Sequence, residues 1–240
     1  MKKRINSKVL KLINLLLFFR NLIYFLFNKD LRTKFPEKIP GKVIDIGYFI
    51  NNSKVKTKNK YNKYFKYYDV INEKDTDPSY KSDTIRLVFI NNEVLIKKSY
   101  NGALKRRLKF YSELIVLEKL RKLRNVPNIR FVDFDNLVIY LQFIDGYCLT
   151  KSNRDGNIFS IEERNRIKNR SEYILRIIHK NRIAVIDIQS RNIIFDPNQK
   201  DVFFIDFADS VSCKCIPDKL LYFLQKLDTI KLWERVIRRI

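Results

Sequence analysis

Val185-Ile186-Asp187-Ile188-Gln189-Ser190-Arg191-Asn192, followed downstream by Asp206-Phe207-Ala208, is the stretch whose reading decides the fold. It contains an Asp-x4-Asn pair and then a third oxygen-bearing side chain, Asp206, at the end of the apolar run Val202-Phe203-Phe204-Ile205. Taken singly, each residue has an ordinary explanation: a loop aspartate, an asparagine capping a turn with Asp196-Pro197, a strand-end carboxylate. Their order, their spacing and the apolar runs beside them point instead to one shared site.

The segments upstream supply further polar residues in a definite order. Thr84 to Ile90 is a strand-like, largely apolar run, Asn91-Asn92 is a turn signal, and Glu93 to Tyr100 is a second strand-like run, so the pair reads as a hairpin. Its second strand carries Val94-Leu95-Ile96-Lys97, with Lys98 next. Lys105 to Leu123 has a helical apolar period (Leu108, Tyr111, Leu114, Ile115, Leu117) and carries Glu113 and Glu118. Phe131 to Phe134 and Leu137 to Ile144 read as two strands around an Asp135-Asn136 turn, running into Asp145-Gly146. Ser160, with Glu163 three residues on, forms a capping-box signature for a helix that extends to Lys180.

This ordered set resembles the protein-kinase-like phosphotransferases, over roughly residues 81–215. The kinase pattern is H-R-D-x-x-x-x-N, then D-F-G, with V-A-I-K upstream. The chain offers V-I-D-I-Q-S-R-N, D-F-A and V-L-I-K. Val185 and Ile186 replace the residues before the aspartate, and Ala208 replaces the glycine. The resemblance implies an α+β, two-lobed fold with a small antiparallel-sheet N-lobe and a reduced helical C-lobe. It implies ATP and Mg²⁺ as cofactors. Asp187 would orient the attacking hydroxyl, and Asn192 and Asp206 would hold Mg²⁺. Lys97, set by Glu113, would contact the nucleotide phosphates, with Lys98 and Glu118 as the alternative pair. Gln142, Phe143, Ile144 and Asp145 would offer backbone groups to the adenine edge.

Within this group the chain is similar to the small bacterial kinases of lipopolysaccharide core sugars (heptose or Kdo), near the RIO-type atypical kinases. Thirty-four residues follow Asp206, and they contain no A-P-E, so the platform that holds a peptide acceptor is not expected. A sugar hydroxyl on a glycolipid needs less. The alternatives are a RIO-like kinase or ATPase on a ribonucleoprotein and a non-catalytic pseudokinase scaffold. The scaffold reading draws on glycine usage. The five glycines are Gly41, Gly47, Gly102, Gly146 and Gly156, no G-x-G-x-x-G occurs, and Pro78 to Asp83 would have to cradle phosphates without glycine's freedom.

Composition bounds the remaining classes. The length of 240 residues suits one two-lobed domain with an extension, and 45% hydrophobic residues suffice for a core. A net charge of +23 favours an anionic partner: nucleotide, phosphorylated glycan, anionic lipid or, as the weaker class, RNA. Cys148, Cys213 and Cys215 are too few and too irregular for a disulfide scaffold, and the sole histidine, His179, is remote from Cys213-x-Cys215.

The expected organisation is an amphipathic basic helical extension over 1–40, a connecting region over 41–80, an N-lobe over 81–145 and a C-lobe over 146–240. In the first of these, Ser7, Lys11, Asn14, Asn21 and Asn28 form a polar stripe on an otherwise apolar helix. Such a helix suits a peripheral contact with an anionic membrane, or packing on the domain, better than a span. The expected location is cytoplasmic, peripheral on the inner membrane. Leu220 to Ile240 is amphipathic and basic, with Tyr222, Phe223, Leu227, Ile230, Trp233 and Ile237 as its expected apolar side.

Overall fold

A computed structural model describes residues 29–50, 54–71, 85–150, 158–212 and 217–240. The polar stripe expected over residues 7–28, the phosphate cradle over 78–83 and Cys213 and Cys215 lie outside these residues.

The hairpin read from Asn91-Asn92 is present. β4 (Ile85–Ile90) and β5 (Glu93–Ser99) pair antiparallel in unbroken register, and both turn asparagines adopt positive φ, as a tight hairpin requires. Around it lie β1 (Ile44–Ile50), β2 (Lys54–Thr57), β3 (Asp69–Ile71), β6 (Ile129–Asp133) and β7 (Val138–Gln142). Together they form one seven-stranded sheet in the order β3-β2-β1-β4-β5-β7-β6. All its pairings are antiparallel except β2 with β3.

The region 41–80 is therefore not a connector. β1 is a central strand that pairs with β4, and β2 and β3 widen the sheet beyond it. Its lysines and asparagines conceal an inward-facing apolar set: Ile46, Val55, Tyr61, Phe65 and Tyr68 bury together with Leu87. The sheet lobe thus begins at Ile44 rather than near residue 81. The end of the expected extension also packs on the domain, since Leu31 is buried in the main core and Pro36 accepts a backbone hydrogen bond from Val132.

Helix α1 (Leu104–Leu120) follows β5 and buries Leu108, Phe110, Leu114, Val116, Leu117 and Leu120. Helix α2 (Ile161–Lys180) starts at the Ser160 cap. The Ser160 hydroxyl accepts from Glu163 N, and the Glu163 carboxylate accepts from Ser160 N, so the capping box is closed. A second sheet, β10-β9-β8, is made of β8 (Tyr147–Cys148), β9 (Ile193–Asp196) and β10 (Asp201–Phe204). Helix α3 (Asp218–Arg235) packs against α2. The architecture is two-lobed and α+β, as expected, although the first sheet is larger than expected and has one parallel pairing: a sheet lobe carries α1, and a helical lobe carries the small sheet.

One core runs through both lobes. Phe110, Leu114 and Leu117 of α1 belong to the same cluster as Ile139 and Leu141 of β7, Ile174 and Ile178 of α2, and Phe204 of β10. Asn125, after α1, donates from Nδ2 to Val202 O at 2.8 Å and accepts from Phe204 N at 2.9 Å, which ties the end of the sheet lobe to β10.

The expected apolar side of the last helix is corrected. Leu221, Leu224, Asp228 and Leu232 face inward, whereas Tyr222, Phe223, Ile230 and Trp233 are exposed. The selecting feature is Asp228, a fully buried carboxylate whose partners are described below. Among the described residues no helix is long and apolar enough to cross a membrane.

The chain passes between lobes at Gly146, where a Cβ would lie 2.6 Å from Phe195 O. The crossing segment and β9 are too close for any side chain there. Gly146→Ala should destabilise the fold by about 1–3 kcal/mol, the usual cost of overpacking. A lowered denaturant midpoint at unchanged m-value would show it.

Candidate active site

Strand alternation decides which lysine enters the site. In the ladder, Lys97 pairs across from Arg86 and Tyr140, on the face of the sheet that holds Val88 and Leu95. Lys98 pairs across from Ile85 and Ile139, on the face that meets α1. It is Lys98, not Lys97, whose Nζ lies 2.8 and 3.0 Å from the two oxygens of Glu113. The expected lysine is therefore corrected by one position, and a one-residue shift along a strand is a change of face. Glu113 is the expected partner; the alternative, Glu118, pairs with Arg121 on the helix surface.

Lys98 Nζ also lies 2.9 Å from Asp206 Oδ1, so one ammonium joins strand, helix and loop. Glu113 is fully buried, accepts from the Tyr100 hydroxyl, and receives Phe207 N at 3.3 Å. The backbone after Asp206 is thereby fixed to α1. Burial alone would push the Lys98 ammonium down. Asp206 and then Glu113 overcome this and hold it well above the ordinary lysine range. The Lys98 charge, in turn, holds the Asp206 carboxyl below its ordinary value against the opposing effect of burial. Tyr100 is raised by burial and then by the Glu113 charge, so it stays a neutral donor.

Asp187 and Asn192 belong to one loop, folded on itself. Asn192 Nδ2 donates to Asp187 O at 2.9 Å and to Asp187 Oδ2 at 3.2 Å, and Gln189 Nε2 donates to Asp187 Oδ1. Arg191 stands 3.6 Å from Asp187 Oδ2. Ile205 N donates to Asn192 O at 2.9 Å, which brings this loop beside Asp206. The Asn192 amide spends its Nδ2 hydrogens on Asp187, which leaves its side-chain oxygen available to a ligand.

Two backbone positions here are strained. Ile186 has φ +66° and Asp206 has φ +65°, a region costly for a β-branched residue and uncommon for aspartate. The strain at Ile186 is held from α3. Asp228 accepts from Val185 N at 2.6 Å and from Ile186 N at 2.9 Å, and Lys231 Nζ donates to Ile186 O. His179 Nε2 lies 3.3 Å from the same carboxylate. Asp228 and Lys231 are thus positioning residues for Asp187 that the sequence reading missed. The available signal was a carboxylate one helical turn from Leu224 and from Leu232, inside what becomes the buried stripe.

Between the lobes lies a cleft of about 270 Å³. Ile96, Leu141, Phe143, Ile194 and Ile205 supply apolar walls, and Lys98, Asn192 and Asp206 supply its polar end. Of the crossing segment, Gln142, Phe143 and Ile144 line it. Asp145 does not; its Oδ2 instead accepts from Lys66 N at 3.4 Å. Apolar walls with polar groups converging at one end are the usual form of a small-molecule site.

No cluster of three acid, histidine or cysteine side chains that could cage a metal occurs among the described residues. One carboxylate and one amide suit Mg²⁺, which shares its coordination with phosphate and water.

No protein-family model matches the chain, and no curated protein matches it. Among solved structures it is similar to the kinase PK-1 of Cydia pomonella granulovirus, with 18% identity and a TM-score of 0.45, over 56% of this chain and 50% of that one. The chain thus spans about half the length of that kinase.

Asp206 gives a pH prediction with a definite sign. Its carboxyl is held low in the folded state, so its contribution is present at neutral pH and is lost as pH falls below about 4. Between about pH 5 and pH 3, the wild type should lose stability more steeply than Asp206→Asn, as read by urea midpoints at each pH.

Proposed function

We propose that the protein is an ATP- and Mg²⁺-dependent kinase that transfers a phosphoryl group to a hydroxyl. The supporting observation is the Lys98–Glu113–Asp206 cluster at the polar end of an apolar cleft, with Asn192 and Asp187 beside it. In this reading the base lies among the apolar walls and Lys98 meets the phosphates. Asp206 and Asn192 would hold Mg²⁺, which would supply charge neutralisation for the phosphates. Asp187 orients the acceptor hydroxyl and takes its proton as oxygen attacks phosphorus. ADP leaves with the bond to the γ-phosphorus broken. Phosphoryl transfer asks the protein mainly for such positioning and charge stabilisation.

The acceptor we infer is a sugar hydroxyl of the lipopolysaccharide core, heptose or Kdo, reached at the inner membrane surface. Two observations support a small acceptor. Helix α3 begins at Asp218, so only residues 207–217 separate it from Asp206. So short an interval supports an acceptor smaller than a peptide. The +23 charge suits a phosphorylated, anionic glycolipid.

A second reading is a nucleotide-binding scaffold without turnover. It is favoured by the connection between β1 and β4, residues 51–84, which contains no glycine to wrap phosphates.

Asp187→Asn separates the two readings. The kinase reading expects phosphoryl transfer from labelled ATP to core glycolipid to fall on the order of 10²–10⁴-fold, while Mg-nucleotide affinity stays within about twofold. Turnover by the variant equal to wild type would overturn the assignment of Asp187.

A further inference from the structure

The polar end of the cleft is explained by the cluster around Lys98. The opposite wall is built by a segment that the proposed chemistry does not use. Between β2 and β3 the chain makes a short 3-10 helix, Asn59–Tyr64, and then a strap, residues 65–68. The strap turns Phe65 and Tyr68 inward. Both rings meet Phe143 of the crossing segment, at centroid distances of 5.2 and 5.6 Å, and Tyr68 meets Phe49 of β1 at 5.8 Å. Phe49, Tyr68 and Phe143 all line the cleft.

The strap is also latched. Asp145 Oδ2 accepts the backbone N–H of Lys66 at 3.4 Å, and the Tyr67 ring packs 5.0 Å from that of Tyr147 in β8. Strap, crossing segment and small sheet are thus joined on one side of the cavity. Asp145 Oδ1 is buried with no partner among the described residues, so the latch bond satisfies only half of a costly carboxylate.

We propose that Tyr68 is a base-contacting residue that sets nucleotide affinity, and that the strap latched by Asp145 covers the base end of the cleft. This rests on the nucleotide reading of that cleft. A planar heteroaromatic base fits walls made of aromatic and branched aliphatic side chains, and stacking on aromatic rings is sequence-independent and sizeable. Burial keeps the Tyr68 phenol neutral, so the ring meets the base without a charge. The connection that holds the strap has no glycine for a close phosphate wrap. Affinity then resides at the base end, with Lys98 and the metal ligands serving the phosphates.

The test is calorimetric titration of the full chain with adenosine and with ADP, for wild type, Tyr68→Leu and Tyr68→Phe. Tyr68→Leu keeps apolar bulk and removes the ring. We expect it to weaken adenosine and ADP by the same factor, roughly tenfold or more for a lost stacking partner. Tyr68→Phe, which keeps the ring, should stay within about threefold of wild type for both. Unfolding of Tyr68→Leu is checked by its melting temperature. Should it fail to fold, Asp145→Ala, which unlatches the strap, is expected to weaken adenosine as well. Adenosine binding unchanged in a folded Tyr68→Leu would overturn the role of Tyr68 while leaving the nucleotide site intact. A wild type that binds neither ligand would overturn the nucleotide reading and this inference together.

Discussion

The ammonium of Lys98 sits between two carboxylates in a place that water scarcely reaches, and the rest of the site depends on that arrangement. A charge removed from water costs several kcal/mol unless partners answer it. The two partners here come from α1 and from the loop after β10, so satisfying the charge fixes three elements relative to one another. Glu113 extends the constraint by accepting from Tyr100 and from Phe207 N. Removing Glu113 would strand the buried ammonium, at a cost of about 3–5 kcal/mol for a broken buried pair, whereas the more exposed Asp206 carboxylate is partly answered by water. Ser112 Oγ, donating to Ser210 O at 2.8 Å, braces the same helix against the same loop.

A second buried carboxylate does the corresponding work below the cleft. Asp228 has no exposure, and its oxygens are spent on backbone N–H groups of Val185 and Ile186. Those groups could not pair in a regular ladder, because Ile186 is in the left-handed region. The carboxylate thus holds a strained turn that an apolar residue could not hold, and the turn aims Asp187. Burial lowers Lys231, with the Asp228 charge opposing, so its bond to Ile186 O lies in the same shielded environment. Ser210 Oγ, donating to Val185 O at 3.1 Å, joins this second system to the loop that follows Asp206.

Much of this was legible in the chain, and the failures have physical causes. The β4–β5 hairpin, α1 and the capped start of α2 follow from period, turn chemistry and one capping box, all of which are local. Glu113 was found because it lies on a helix whose apolar face is evident. Val-Leu-Ile points to Lys97 rather than Lys98, yet membership of a motif does not say which face of a strand meets the helix. β1 to β3 were missed because lysine and asparagine dilute their apolar residues, and the pairing that makes them a sheet is not local. Asp228 was missed for a related reason. A helix judged by its hydrophobic side chains turned Tyr222 and Trp233 inward, whereas buried hydrogen bonds to another segment select the opposite face.

In the proposed reaction Asp206 would join the buried Lys98 to a metal-bound phosphate. Titrating ATP into wild type and Asp206→Asn, each with and without Mg²⁺, measures this link. Mg²⁺ should strengthen ATP binding to the wild type and have little effect on the variant. An equal Mg²⁺ effect in both proteins, or no binding of ATP to a folded wild type, would contradict it.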